Sequence, residues 1–336
     1  MIKVGHIGLG RLGLQHAENL ASKINNVELV AICDLNEKKL SETSKKLNVK
    51  RLYTKFEDMI KDPDIDAVSI SSPSAFHCEQ ITLALKAGKH VFSEKPMGVT
   101  VDECKKLEEV VQQHRDQVFM VGFMRRFDES YRQAKDMVDE GKIGKVFMIR
   151  SYSQDPIASI DGAIAYGPHS GGEFLDMSVH DIDLARWFLK SEPRQVWAIG
   201  GCYEFQEFKN WNDADNAVCL MKFEGDKMAF LLAGRTAPHG YNVETEIMGT
   251  RGILRIASVP QKNMIEILGN DGVLRQCSQN FLERFKEAYL KEMEEFISCI
   301  MEKRKPEITV YDGTRATKTA YMCKESFEKG ILVNID

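Results

Sequence analysis

Three stretches of this chain carry residues whose types and spacing can do chemistry. In Phe92-Ser93-Glu94-Lys95-Pro96-Met97 an apolar run, His90-Val91-Phe92, stops at an acid, a base and a proline. Proline pushes the residue before it out of the α region and supplies no N–H, so Lys95 is held on extended backbone at the carboxyl end of a strand. Open α/β sheets bind their ligands at that end. A lysine there can hydrogen-bond a reacting oxygen and stabilise negative charge developing on it; the plain alternative is a solvated Glu–Lys pair at the start of a loop. In the second stretch, Gly171 to Asp183, helical spacing puts Asp176, His180, Asp183 and Trp187 near one face and Leu175, Val179, Ile182 and Phe188 near another. A carboxylate and an imidazole four positions apart can converge on one ligand, and an imidazole with an ordinary pKa near ~6.5 suits removal of a hydroxyl proton. The alternative there is a set of acids that suits a helix dipole, with a partly solvated histidine. No third ligand is placed by spacing, so no metal site is expected.

The third stretch is Gly8-Leu9-Gly10-Arg11-Leu12-Gly13, between the β-branched run that begins at Ile2 and a helical pattern of Leu14, Ala17, Leu20 and Ala21. A second apolar run, Val27 to Cys33, ends in Asp34, about 20 residues on, which completes a dinucleotide fingerprint. Gly8 permits the tight turn, Gly10 the approach of a pyrophosphate, and Gly13 the close packing of helix on strand; the helix N-terminus offers orphan N–H groups. The Asp34 carboxylate can accept both ribose hydroxyls and repels a 2'-phosphate, and Leu35 and Asn36 bring no arginine to offset it. NAD is therefore expected over NADP, although Lys38 and Lys39 lie close.

The elements that must position these residues alternate at first. Helices are expected near Asn36 to Leu47, Phe56 to Lys61 and Ala75 to Ala87, the last closed by Gly88. Strands are expected near Arg51 to Tyr53, Ala67 to Ser71 and Val118 to Phe123, with Thr100-x-x-Glu103 as a capping box before a further helix. That alternation predicts a doubly wound parallel sheet, a Rossmann domain over residues 1–123. From 124 to 336 the pattern becomes α+β. A helix, Asp128 to Glu140, and a strand, Lys145 to Ser153, precede an irregular stretch, Gln154 to Gly172, long enough to suggest function. Hairpin-linked strands from Gln195 to Gln276 then predict an open, largely antiparallel sheet with one face free for an oligomer contact, followed by two closing helices.

Composition narrows the function classes. At 336 residues the chain exceeds the roughly 250 to 300 at which single cores stop growing, so two domains are the default. A formal charge of −5 offers no basic field for nucleic acid or anionic lipid. No apolar run approaches the ~18 residues of a membrane span, and Met1-Ile2-Lys3-Val4 enters a strand at once, leaving no room for a signal peptide. The eight cysteines are scattered without a C-x-x-C pair, which suits free thiols in a reducing compartment. A cytoplasmic protein is expected.

Taken together, Gly8-x-Gly10-x-x-Gly13, Ser72-Pro73 with His77, Glu94-Lys95-Pro96, and Gly171-Gly172 followed by Asp176, His180 and Asp183 resemble the glucose-fructose oxidoreductase and inositol dehydrogenase (Gfo/Idh/MocA) family over essentially the whole chain. Gly122 to Asp128 and His239-Gly240-Tyr241 resemble its inositol 2-dehydrogenases, and Arg150 to Pro156, His169 to Gly172 and Arg284 to Tyr289 its NAD-dependent scyllo-inositol branch. The resemblance implies an NAD-linked oxidoreductase acting on a secondary alcohol of a cyclic polyol, scyllo- or myo-inositol giving a 2-keto-inosose, in inositol catabolism. It makes Lys95, Asp176 and His180 the catalytic set. It places Gly8, Leu9, Gly10, Arg11, Leu12, Asp34, Ser72, Pro73, His77, Glu94, Lys95 and Arg125 at the cofactor. Around the substrate it sets Lys95, Arg125, Asp155, His169, Asp176, His180 and Tyr241, in a cleft between two domains. A cis Lys95–Pro96 peptide and a homotetramer joined through the C-terminal sheet are implied as well. Two other functions stay open: a dehydrogenase of another sugar, an aldose or anhydrosugar, and a dinucleotide-binding sensor without turnover, since folds outlast activities.

Overall fold

The computed structural model describes residues 1–257, 259–270 and 272–335, and the chain forms two compact units. The first comprises Met1–Phe127 and Glu287–Thr317; the second comprises Asp128–Lys286 and Lys318–Asp336. The expected division into 1–123 and an unbroken 124–336 therefore differs from the fold. The helical periodicity of residues 287–317 is visible in sequence, but periodicity does not say which of two cores a helix serves.

In the first unit, β1 (Ile2–Ile7), α1 (Arg11–Ser22), β2 (Val27–Cys33), α2 (Glu37–Leu47), β3 (Arg51–Tyr53), α3 (Phe56–Ile60), β4 (Ala67–Ile70), α4 (His77–Lys86), β5 (His90–Glu94), α5 (Val101–Gln113) and β6 (Phe119–Gly122) alternate as the sequence predicts. The six strands are parallel in the order β3-β2-β1-β4-β5-β6. All of β4 is buried, which is why its residues show no polar alternation. The capping box at Thr100 and Glu103 is formed. This order brings the carboxyl ends of β1, β2, β4 and β5 to one edge, and with them Gly8, Asp34, Ser72 and Lys95.

The second unit opens with α6 (Glu129–Asp139), capped by the Asp128 side chain, which accepts from the Ser130 and Tyr131 N–H groups. There follow β7 (Val146–Pro156), α7 (Ile160–Ser170), α8 (Val179–Leu189), β8 (Pro193–Gly201), β9 (Asn216–Phe223), β10 (Met228–Ala237), β11 (Asn242–Gly249), β12 (Gly252–Ile256), β13 (Gln261–Gly269) and β14 (Gly272–Cys277). α9 (Phe281–Glu302) and α10 (Val310–Lys329) each run from one unit into the other, and β15 (Val333–Asn334) ends the chain. The sheet order is β12-β11-β7-β10-β9-β8-β15, antiparallel except for the β7–β10 pair, so the open, largely antiparallel sheet is present. β13 and β14 form a separate two-stranded ribbon rather than part of that sheet.

Two expectations fail in this unit. The stretch Gln154 to Gly172 is mostly regular: β7 continues to Pro156, a 3-10 turn covers Ile157–Ser159, and α7 runs on to Ser170, leaving only Gly171 and Gly172 outside an element. Gly162, Gly167 and Pro168 disguise that helix, because glycine and proline have the poorest helix propensity. Tertiary packing overrides them, and Gly167 lies against the Trp211 ring so closely that a Cβ would sit 2.5 Å from Cζ2. The helical face drawn from Asp176 to His180 is also interrupted, since Phe174–Ser178 is a π turn that passes into α8 at Val179. Such turns insert an extra residue and re-aim side chains, and single sequences carry little sign of them.

Candidate functional site

The dinucleotide half of the site is built at the turn after β1. Gly8 has φ +95°, and a Cβ there would lie 2.3 Å from the Ser71 carbonyl oxygen. At Gly13 a Cβ would lie 1.8 Å from the Gly8 carbonyl oxygen, so helix α1 can approach β1 only with glycine at this position. Gly10 is different: as the N-cap of α1 it has ordinary backbone angles, and the space where its Cβ would stand is open. No side chain caps the helix and no acid lies in its first turn, so its leading N–H groups and positive dipole end are left to an anion. Leu9 is buried, and Arg11 and Leu12 start the helix.

A cavity of about 480 Å³ adjoins this turn, lined by Gly8, Gly10, Asp34, Lys39, Ser72 and Pro73 among others. The Asp34 carboxylate is fixed beside it, accepting the Leu9 N–H at 2.7 Å and the Asn36 N–H at 2.8 Å. A carboxylate held on the floor of a phosphate-binding turn fits the ribose of NAD, and among the described residues no arginine lines the cavity. The residues present therefore fit an NAD adenosine.

His77 is buried, with its ring nitrogens each 2.8 Å from a carbonyl oxygen, one of Ser72 and one of Pro96. Burial pushes its pKa below the ordinary value, so the ring is neutral and donates to one of the two. From α4 it sits between the loop after β4 and the loop after β5, hydrogen-bonded to one of them. Glu94 is likewise buried, with Oε1 2.8 Å from His16 Nε2 and Oε2 accepting the Lys95 N–H at 3.2 Å. The Lys95–Pro96 peptide is cis, as the resemblance implied. Arg125 is buried in a 3-10 turn, Met124–Phe127, and Arg126 beside it pairs with Asp312 at 3.0 Å.

The remaining expected residues belong to the second unit. Asp176 sits in the π turn and His180 in the first turn of α8, a helix whose residues are all buried. The partly solvated histidine weighed as an alternative is thus not what the fold contains. Asp181, also in that turn, accepts from the Ser151 and Ser153 hydroxyls at 2.6 Å each and so fastens α8 to β7. Asp155 belongs to β7 and His169, itself exposed, to the last turn of α7, where a loop was expected for both. Tyr241 precedes β11, buried, with its ring edge-on to Phe285.

Sequence reasoning missed the residue at the centre of this group. Arg235, on β10, is 3% exposed and places Nη2 2.8 Å from Asp176, Nε 2.7 Å from Glu173 and Nη1 3.8 Å from Asp155. It therefore gathers Asp155 and Asp176, two of the expected site residues, around one cation. Glu173 is buried completely, and its burial outweighs the guanidinium's pull and raises its carboxyl well above the usual range. The available signal was an arginine closing an otherwise apolar strand, Met228 to Gly234.

The N-terminal residues 2–123 match a family described as an oxidoreductase family with an NAD-binding Rossmann fold, and residues 131–255 match the GFO/IDH/MocA C-terminal domain. The chain is 33% identical to a myo-inositol 2-dehydrogenase of Thermotoga maritima, over all of this chain and 99% of that protein. It is 31% identical to an NAD(+)-dependent scyllo-inositol 2-dehydrogenase of Bacillus subtilis, over all of this chain and 96% of that one. Among solved structures, scyllo-inositol dehydrogenase from Lactobacillus casei with bound NAD(H) and scyllo-inositol superposes with a TM-score of 0.96 at 46% identity, covering 99% of both chains.

Proposed function

Because the chain belongs to the GFO/IDH/MocA oxidoreductase family, with an NAD-binding Rossmann fold at its N-terminus, we propose that it is an NAD-dependent inositol 2-dehydrogenase. It oxidises one secondary alcohol of scyllo- or myo-inositol to the 2-keto-inosose, a step suited to inositol breakdown. The observation that carries this is the end-to-end likeness, at 46% identity, to a structure holding NAD(H) and scyllo-inositol. NAD, when bound, supplies the hydride acceptor. Gly8, Leu9, Gly10, Arg11, Leu12, Asp34, Ser72, Pro73 and Arg125 hold it, while His77 and Glu94 act by fixing the loops that carry Ser72 and Lys95.

In this function His180 takes the hydroxyl proton, and the Lys95 ammonium hydrogen-bonds the reacting oxygen and stabilises its developing charge. Asp176 orients that pair. Arg125, Asp155, His169 and Tyr241 meet the remaining ring hydroxyls, and a site that pairs each hydroxyl rejects analogues lacking one, because its own polar groups are then left bare. A homotetramer joined through the free sheet face belongs to the same proposal, supported by Trp197, Ile199, Leu220 and Met228, all more than 40% exposed on β8, β9 and β10. So does a cytoplasmic location; among the described residues no helix is long and apolar enough to cross a membrane.

A panel of inositols, aldoses and anhydrosugars with NAD, followed at 340 nm, tests the assignment. Turnover of an inositol, lost by at least 100-fold in His180→Ala, is the expected result. Turnover confined to an aldose would move the substrate, and nucleotide binding without any turnover would make the protein a sensor.

A further inference from the structure

We infer that Arg235 is the positioning residue of the substrate half-site, one guanidinium that sets both the Asp176 carboxylate used in chemistry and the Asp155 carboxylate used in binding. This rests on the roles proposed above for those two residues. The geometry is asymmetric in a way that a simple buried ion pair is not. On one side Arg235 is anchored by Glu173, whose side chain is 0% exposed. The Glu173 N–H in turn donates to both oxygens of Asp213, at 3.0 and 3.1 Å, and the guanidinium lies 5.6 Å from the centre of the Phe208 ring. On the other side Arg235 meets the carboxylates that retain solvent access, Asp176 at 22% and Asp155 at 29% exposed. The anchor faces inward and the two displayed acids face outward.

Two aspartates presented to a neutral polyol repel each other and drift unless a cation lies between them. Arginine does this where lysine cannot, because its planar fork carries five N–H donors in fixed directions and stays charged at every relevant pH. The three partners come from separate segments: Asp155 from β7, Glu173 from the turn after α7, and Asp176 from the π turn. Arg235 thus locks to one strand the register of elements that local structure leaves independent.

Arg235→Lys keeps the charge and removes the fork. Its expected phenotype is a folded protein with unchanged NAD affinity, within about twofold, and a kcat/KM for scyllo-inositol at least tenfold lower, with kcat and KM both worse. In its crystal structure the Asp155 and Asp176 carboxylates should stand farther apart than in the wild type. Kinetic constants within twofold of wild type, or carboxylates that do not move, would overturn the inference. Should Arg235→Lys fail to fold, Asp155→Asn, Asp176→Asn and the double variant replace it. Acids hung on one guanidinium must give non-additive losses in kcat/KM, and additivity within twofold sinks the idea. A wild-type protein inactive on every inositol would count against the proposed function instead, and the carboxylate positions in the lysine variant would then decide this inference alone.

Discussion

His16 Nε2 lies 2.8 Å from Glu94 Oε1, both side chains buried, and the other Glu94 oxygen accepts the Lys95 N–H. The proposed lysine is therefore backed by a polar pair sealed inside the first unit. α9 adds Glu292 to that pair, 0% exposed and 3.9 Å from the same histidine nitrogen. Among the described residues neither Glu292 oxygen has a hydrogen-bond partner.

Burial, and then the charge of Glu94, push the Glu292 carboxyl well above the usual range. The folded chain then keeps a proton that the unfolded chain releases above about pH 4.3. The stability tied to this group is complete below that pH and is lost as pH rises through the folded-state value. Glu292→Gln cannot ionise and removes the slope. Urea midpoints of variant and wild type should converge near pH 4, with the variant gaining steadily toward pH 8. A difference that stays flat over that range would mean Glu292 is not held protonated.

Gly10 and Gly13 should separate ligand binding from folding. Gly10→Ala meets open space at ordinary backbone angles, so its melting temperature should stay within about 2 °C of wild type while the Kd for NAD rises at least tenfold. Gly13→Ala drives a methyl to 1.8 Å from the Gly8 carbonyl oxygen, so α1 must shift and stability should fall by about 2 kcal/mol or more. Calorimetry of both variants with and without NAD checks the pair. Equal effects on melting would refute the division.

Asp34→Ala should weaken NAD binding by about tenfold and improve the NADP-to-NAD affinity ratio by more than that, because the repulsive group is lost while Lys39 still lines the cavity. Titration with NADH and NADPH measures both. Wild-type protein that prefers NADPH would contradict the role given to Asp34.

The first half of the site was legible because its determinants are local. Gly8 is demanded by its positive φ and Gly13 by the Gly8 carbonyl five residues before it, and β2 ends at Cys33, where its apolar run ends, so that Asp34 follows. α7 was not legible, since its glycines and proline argue against a helix that packing nonetheless imposes. The π turn at Asp176 and the strand position of Asp155 escaped for a related reason: both depend on what the segment packs against, not on its own period.

By itself the sequence determined the parallel nucleotide-binding sheet and the placement of Lys95 at a strand's carboxyl end. Short-range sterics and hydrophobic period act the same way in any surroundings. Only the tertiary structure decided that Arg235 collects Asp176 from 59 residues away, and that Glu292 crosses back to face His16 and Glu94. The Arg235 pairing exists because burial strips water from each charge and leaves it to the partner the fold supplies, a partner no local pattern specifies.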